Sequence, residues 1–447
     1  MRTPDEVRAL AQAALAHVSG ADEAEALVFA QVSALTRFAN NRIHQNVASE
    51  DMSVSVRAVV GKRVGVASTN RTDESGLAAV CAAAVEAART SPEDPDFPGL
   101  PVGGVVEHPT RAHVSTRQFG AHERGAAARA IIGQSKHHGC AAAGTIAVND
   151  AVTAVANTLG ADAVMPTTAC NATVLSTGVD GGSGWASFFS TDASHLAADS
   201  LGDRAATLAM RTASPRSLEP GSYTVVLSPE AVADIVRFLG WYGMSAKAVE
   251  EGRSFMTGHI GEQVFSPLVT IHDDALGATA SGLTFDFEGV PKRRVALIEA
   301  GVATAAVTDS YWAAKTGGPN TGHALPAPNS MGPLPLDLLM APGSSTIEEM
   351  IASVERGVYV TRFHYVNIED PVRATLTGMT RDGTLMIEGG RLTNPVRNLR
   401  FTQSAVEALG NVRAVGSDVV ALGEDDGMSV RVPALTIDGF SFTGQTA

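Results

Sequence analysis

The stretch Arg237–Asp274, RFLGWYGMSAKAVEEGRSFMTGHIGEQVFSPLVTIHDD, decides how the rest of the chain is read. Its first residues continue an apolar-periodic run that starts at Ser228-Pro229-Glu230, a helix-opening signal with proline at the first helical position. Gly258 and Gly261 then break the pattern and predict a loop. The run VTIHDD closes the stretch as a strand that leaves into an acidic turn. The order is therefore helix, glycine-bearing loop, strand. Beyond it, short strands and Gly/Pro turns dominate to the last residue.

Working backwards, Tyr223–Leu227 reads as a strand, and SPRSLEPGS (Ser214–Ser222) separates it from everything earlier. Two prolines, a glycine and no periodicity make that segment the best boundary in the chain. It divides residues 1–216 from residues 217–447. In the first part, Thr3-Pro4-Asp5-Glu6 is a capping box, followed by Val7, Leu10, Ala11, Ala14 and Leu15 at helical spacing. Strands are expected at Ala26–Leu35 and Ser53–Val60, with a Gly61-Lys62 hairpin into Arg63–Ala67. A helix is expected over Asp73–Arg89. Pro92, Pro95, Pro98, Pro101 and Pro109 then punctuate a connection to a helix near Gln118–Lys136. Strands at 144–148, 152–157, 172–176 and 185–190 and a helix over Ser194–Thr212 complete the part. The fold class is α+β: an N-terminal α/β-type sandwich domain followed by a mainly antiparallel β domain.

Composition narrows the function. The 447 residues carry 33 Lys and Arg against 47 Asp and Glu, a formal charge of −14, which argues against nucleic acid as a partner. No apolar run approaches the roughly 20 residues that span a bilayer, and the amphipathic first helix is not a signal peptide. Cys81, Cys140 and Cys170 do not make a disulfide framework, so a reducing, cytoplasmic location is expected.

Local motifs for chemistry are weak. His137-His138-Gly139-Cys140 gathers soft ligands, but adjacent histidines on a helix end diverge. His122-Glu123 opens like a zincin motif and has no second histidine. His272-Asp273-Asp274 reads as a strand end. The chain has no Gly-x-Ser-x-Gly elbow, and Gly178–Gly184 lacks the Lys-Ser/Thr of a phosphate loop.

Three motifs in combination carry more: Gly258-His259-Ile260-Gly261-Glu262, Gly322-His323 and Gly357-Val358-Tyr359-Val360-Thr361-Arg362. With them the chain resembles the TldD/PmbA group of bacterial and archaeal proteins, whose pairs form peptide-cleaving metalloproteases. Metal-bearing members carry His-Glu-x-x-x-His about a helix and a half before the Ser254-Phe255 segment. Ungapped counting puts Arg237, Phe238 and Tyr242 at those places, and zinc takes thiolate, imidazole or carboxylate. The family site also takes a late cysteine, whereas no cysteine follows position 170. The resemblance is to the zinc-free PmbA/TldE type.

That resemblance implies a chain with no catalytic residue, metal or cofactor of its own. It would act with a zinc-bearing TldD-like chain on peptides or unfolded polypeptides, or stand as a homodimer without that partner. The family cleft implies substrate contacts at Gly258, His259, Gly261, Thr321, Gly322, His323, Arg362, His364 and Asn367. An extended peptide would lie there against a strand edge. Two other readings remain open: a self-sufficient hydrolase with a rearranged site, and a non-enzymatic regulatory protein, since some family members are labelled modulators of DNA gyrase.

Overall fold

In a computed structural model, residues 2–103, 111–423 and 427–445 are described; Pro109 of the expected connection lies outside them. The N-terminal part begins with α1 (Pro4–Ala16), closed by the reciprocal Thr3–Glu6 capping box. The hairpin β1 (Glu23–Ala39), β2 (Arg42–Val60) and the strand β3 (Arg63–Thr69) follow, then α2 (Glu74–Thr90), α3 (Val114–Arg117) and α4 (Ala121–His137). Next come β4 (Ala141–Asn157), β5 (Asp162–Thr177), β6 (Ser183–Ser190) and α5 (Ala198–Arg211). The six strands form one antiparallel sheet in the order β3-β2-β1-β4-β5-β6.

Strand alternation gives this sheet two different faces. Even-numbered residues of β1 and β4, such as Ala26, Val28, Val152 and Ala154, pack under α1 and α2. Farther along, Phe38 and Ile146 pack under Ile131 of α4 and Leu201 of α5. All the helices thus cover one face. The other face presents Phe29, Gln31, Ser33, Leu35 and Arg37 of β1 and, on β4, Thr145, Ala147, Asn149 and Ala151.

Several strands are longer than expected: β2 begins at Arg42, not Ser53, β5 at Asp162, not Ala172, and two further expectations need correction. The segments 144–148 and 152–157 are one strand, because Asn149 and Asp150 stay in register opposite Ser33 and Val32. Asn149 Nδ2 donates sideways to Gln31 and Asp150 accepts from Arg117, and neither residue makes a turn. Likewise β1 does not stop at Leu35. It runs to Ala39 and reverses at Asn40 and Asn41, both in the left-handed region at φ 48° and 60°. Paired left-handed asparagines are the chemistry of a tight hairpin turn.

The C-terminal part starts with β7 (Gly221–Leu227), α6 (Pro229–Gly243) and α7 (Ala246–Glu250), then β8 (Ile271–Asp273), β9 (Val295–Glu299) and β10 (Val302–Ala303). Further on lie α8 (Ser310–Thr316), β11 (Asp337–Met340), α9 (Ile347–Ala352), β12 (Arg356–Val360), β13 (Phe363–Asp370) and β14 (Thr375–Thr380). The last elements are β15 (Thr384–Glu388), β16 (Arg391–Pro395), β17 (Leu399–Ser404), α10 (Ala405–Gly410), β18 (Val412–Val415), β19 (Val420–Gly423), β20 (Ser429–Val432) and β21 (Leu435–Gln445). Among the described residues they build two sheets. One runs β10-β9-β8-β11-β20-β19; the other runs β13-β14-β17-β21-β7-β12-β15-β16, with β18 added on β21. Most pairings are antiparallel; β7–β12 and β11–β20 are parallel. One large core joins both sheets through α6, whose Val232, Ile235, Val236 and Leu239 are buried. The molecule is α+β, as its sequence pattern predicts. Residues 216 and 217 fall between α5 and β7, and Arg216 already bridges to Val396 of the C-terminal part.

Candidate functional site

The uncovered face of the N-terminal sheet is the floor of a cavity of about 1580 Å³ roofed by the C-terminal part. The floor is almost free of charge: Gln31, Ser33, Asn149, Asn171 and Thr173 alternate with alanines, and Arg37 stands among them. Trp185 and Phe189 of β6 close one side. The roof is different in character. Helix α6 turns Glu230, Asp234, Arg237, Phe238 and Trp241 into the cavity, a stripe at helical spacing. Its opposite side is buried in the core, so the stripe cannot rotate away.

This stripe contains two of the three positions at which metal-bearing members of the resembled family place ligands. Arg237 is 5% exposed, with Nη1 3.9 Å from Asp234 Oδ1. Phe238 packs edge-on against Trp241 and stacks on Tyr242, the third position, at 6.0 Å between ring centres. Among the described residues no group of three His, Cys, Asp or Glu side chains is placed to hold a metal ion.

Of the residues expected at a substrate cleft, His323, Arg362 and His364 line this cavity. His323 is buried, with Nε2 2.9 Å from Asp273 Oδ1 and Nδ1 2.9 Å from Thr321 Oγ1. Both ring nitrogens are therefore engaged inside the protein, and Thr321 serves as a prop behind the imidazole. Gly322 sets this arrangement: its φ is +75°, and a Cβ there would lie 2.6 Å from the Pro291 carbonyl oxygen. Asp273 Oδ2 also accepts from the Asp337 amide at 2.9 Å, and Lys292 Nζ lies 3.4 Å from Asp337 Oδ2. Burial alone would push the Asp273 carboxyl up, but His323 and Lys292 outweigh it and hold the group well below the ordinary carboxylate range. The nearby Asp286 is pushed up to about 8 by burial and by Glu288, although three backbone amides point at its carboxyl. These charged groups brace the loops of the roof, and their polar atoms are used on one another.

Arg362 spans the cavity wall. Nη2 lies 2.9 Å from Asp382 Oδ2, and the guanidinium sits 4.6 Å over the Trp185 ring, a cation–π contact between the C-terminal part and the floor sheet. His364 follows on β13, its pKa drawn below the ordinary histidine value by burial and then by Arg381 and Arg362. It therefore presents a mostly uncharged ring to the cavity. β13 is the end strand of its sheet, with a register shift between His364 and Asn367 that leaves Tyr365 at φ +51° and 73% exposed. The cavity-lining run Phe363–Val366 thus carries an open strand edge among the described residues.

The other expected residues lie elsewhere. Gly258, His259 and Gly261 are exposed on the loop after α7; His259 Nδ1 lies 2.7 Å from Glu262 Oε2, and nothing stands within 4 Å of a Cβ placed on Gly258. Asn367 is exposed beyond the cavity. His138, from the soft-ligand cluster, lies 2.8 Å from Asp203, and Cys140 is buried. Sequence reasoning missed the whole floor. Its signal was present: polar residues at odd positions of β1 and β4 oppose apolar ones at even positions, so a sheet covered by helices on one side had a second, polar side to explain.

The likeness of this architecture to solved structures is close. TldE from Thermococcus kodakarensis superposes with a TM-score of 0.88 over 99% of this chain and 100% of that one, at 18% identity, which speaks to the fold alone. The family model for the PmbA/TldA metallopeptidase C-terminal domain matches residues 220–444, and that for domain 1 matches residues 24–88. The chain belongs to the TldD/PmbA family. Similar curated proteins include the Metalloprotease TldD homolog of Haemophilus influenzae, 29% identical over 243 residues, which are 49% of this chain and 50% of that protein. Metalloprotease PmbA of Escherichia coli O157:H7 is 25% identical over 230 residues, 51% of this chain and 48% of that one. The chain spans about half the length of the curated relatives it matches. No helix among the described residues is long and apolar enough to cross a membrane.

Proposed function

We infer that this chain is the zinc-free subunit of a TldD/TldE-type metalloprotease, acting in the cytoplasm. On this reading its cavity holds a peptide or unfolded polypeptide for cleavage by a zinc-bearing partner. The observation that carries the reading is the α6 stripe. Where metal-bearing members present imidazole and carboxylate, this helix presents the Arg237 guanidinium and the Phe238 ring to the cavity. A zinc ion does not fit such a donor set, because the guanidinium is a cation that cannot be deprotonated and the ring offers no lone pair. What the chain does offer suits holding a chain in extended form: an open edge at Phe363–Val366 for main-chain hydrogen bonds, and a floor of neutral amides and hydroxyls. The buried cluster around His323 gives little support to a self-sufficient hydrolase, since both imidazole nitrogens face protein partners. The test is elemental analysis of the purified chain after dialysis against a weak chelator. Zinc well below one equivalent is expected; about one retained zinc per chain would overturn the reading.

A further inference from the structure

Among the described residues Arg37 is the one charge on the cavity floor, and it heads a row of side chains that crosses the sheet. It is exposed and has no carboxylate partner among the described residues; its guanidinium donates to the neutral Gln45 Oε1 at 3.4 Å. The register places Thr145 beside Arg37, Thr173 beside Thr145 and Ser187 beside Thr173, all on the cavity side. Thr145 Oγ1 and Thr173 Oγ1 lie 3.0 Å apart, so the middle of the row is neutral and hydrogen-bonded within itself.

At its far end the row runs in between aromatic rings. Alternation on β6 puts Trp185 and Phe189 on the same face as Ser187, one on each side of it. Arg362, which also lines the cavity, lies over the Trp185 ring, so this end offers an aromatic face and a guanidinium together. Aromatic residues are scarce in the chain and gather around this space: two of its 3 Trp and seven of its 15 Phe line the cavity, although the lining takes only a small part of the sequence. Ring–ring and guanidinium–ring contacts add to what burial alone gives, and an aliphatic side chain lacks them. The ring end and Arg37 are three strand spacings apart, about 14 Å, which an extended chain covers in about four residues.

We propose that the cavity selects an extended peptide segment with an aromatic side chain and a carboxylate about four residues apart, the ring seated by Phe189 and Arg362 and the carboxylate paired with Arg37. The segment crosses the floor strands over Thr145 and Thr173. This inference rests on the reading of the cavity as a peptide site and names what that site prefers.

Binding to the purified full chain tests it, read as anisotropy of a labelled peptide and as tryptophan emission, since Trp185 and Trp241 both line the cavity. The reference probe is a serine–glycine peptide blocked at both ends, with Phe and Glu at the stated spacing. Replacing its Phe by Leu is expected to weaken binding several-fold, and its Glu by Gln about tenfold. A second probe lacks Glu and ends in a free carboxylate at that position. Binding through either carboxylate supports the proposal and tells whether a side chain or a chain end is taken. Arg37→Gln is expected to abolish the discrimination between Glu and Gln peptides. Arg37→Glu is expected to prefer a peptide with Lys in place of Glu, a reversal that a merely structural defect would not give. Phe189→Leu, with folding checked by circular dichroism, is expected to reduce the preference for Phe over Leu. Equal binding of all the peptides, or an Arg37→Gln chain that still tells Glu from Gln, would overturn this inference and leave the peptide reading standing. Failure of every probe to bind the folded chain would overturn both.

Discussion

At the scale of single residues, the junction between the floor sheet and the roof is governed by one cation shared between two acids. Arg57 Nη2 lies 2.8 Å from Glu25 Oε2 and Nη1 3.0 Å from Glu288 Oε1, with all three side chains nearly buried. One guanidinium neutralises one carboxylate, so the trio favours keeping a proton. Burial pushes Glu25 up to about 7, with Arg57 opposing and Glu288 adding to the rise, and burial pushes Asp309 up to about 6. The sign follows from linkage. A carboxyl whose folded pKa is raised binds its proton in the native state after the unfolded chain has lost it, so stability falls as pH rises between the two values. The contribution of Glu25 should therefore be greatest below about pH 4.5 and decline until about pH 7. Melting temperatures between pH 5 and pH 7 should fall with rising pH, and Glu288→Gln should flatten that slope by removing the surplus charge. A slope unchanged in Glu288→Gln would show that the trio does not set it.

Among the elements, α6 was the most legible and the floor strands the least. Ser228-Pro229-Glu230 announces the helix, and the structure starts it at Pro229 with Ser228 as its cap. The polar interruption Asn149-Asp150 hid the continuity of β4, because its side chains reach hydrogen-bond partners on neighbouring elements that no local pattern reveals. The loops carrying the family glycines divide in the same way. Gly258 and Gly322 both need positive φ, but only Gly322 has backbone packed against the missing Cβ, with Lys292 Cα also at 2.9 Å. Gly322→Ala should thus cost more than the roughly 1–3 kcal/mol of left-handed strain, while Gly258→Ala should cost no more than that strain. Thermal or urea unfolding of the two variants checks the order. Equal losses would contradict the packing assigned to Gly322.

For the whole molecule, the sequence announced an α+β chain with family motifs in its second half. It did not announce that the uncovered face of the first sheet and the α6 stripe enclose one cavity. Such closure depends on contacts such as Arg362 over Trp185 and Glu288 on Arg57, which join residues far apart in the chain. Neither partner of these pairs has a local signature. On the proposed reading, this closure is what would let a subunit without metal ligands matter to hydrolysis, since misplacing a reacting group by about 1 Å can lose on the order of a hundredfold in rate. The direct test is cleavage of an unfolded peptide by three samples: this chain alone, a zinc-loaded family member bearing His-Glu-x-x-x-His alone, and the two mixed. The account predicts no cleavage by this chain, and cleavage by the mixture that exceeds the zinc-bearing member alone. Chelator-resistant cleavage by this chain alone, or a mixture no more active than the zinc-bearing member, would contradict it.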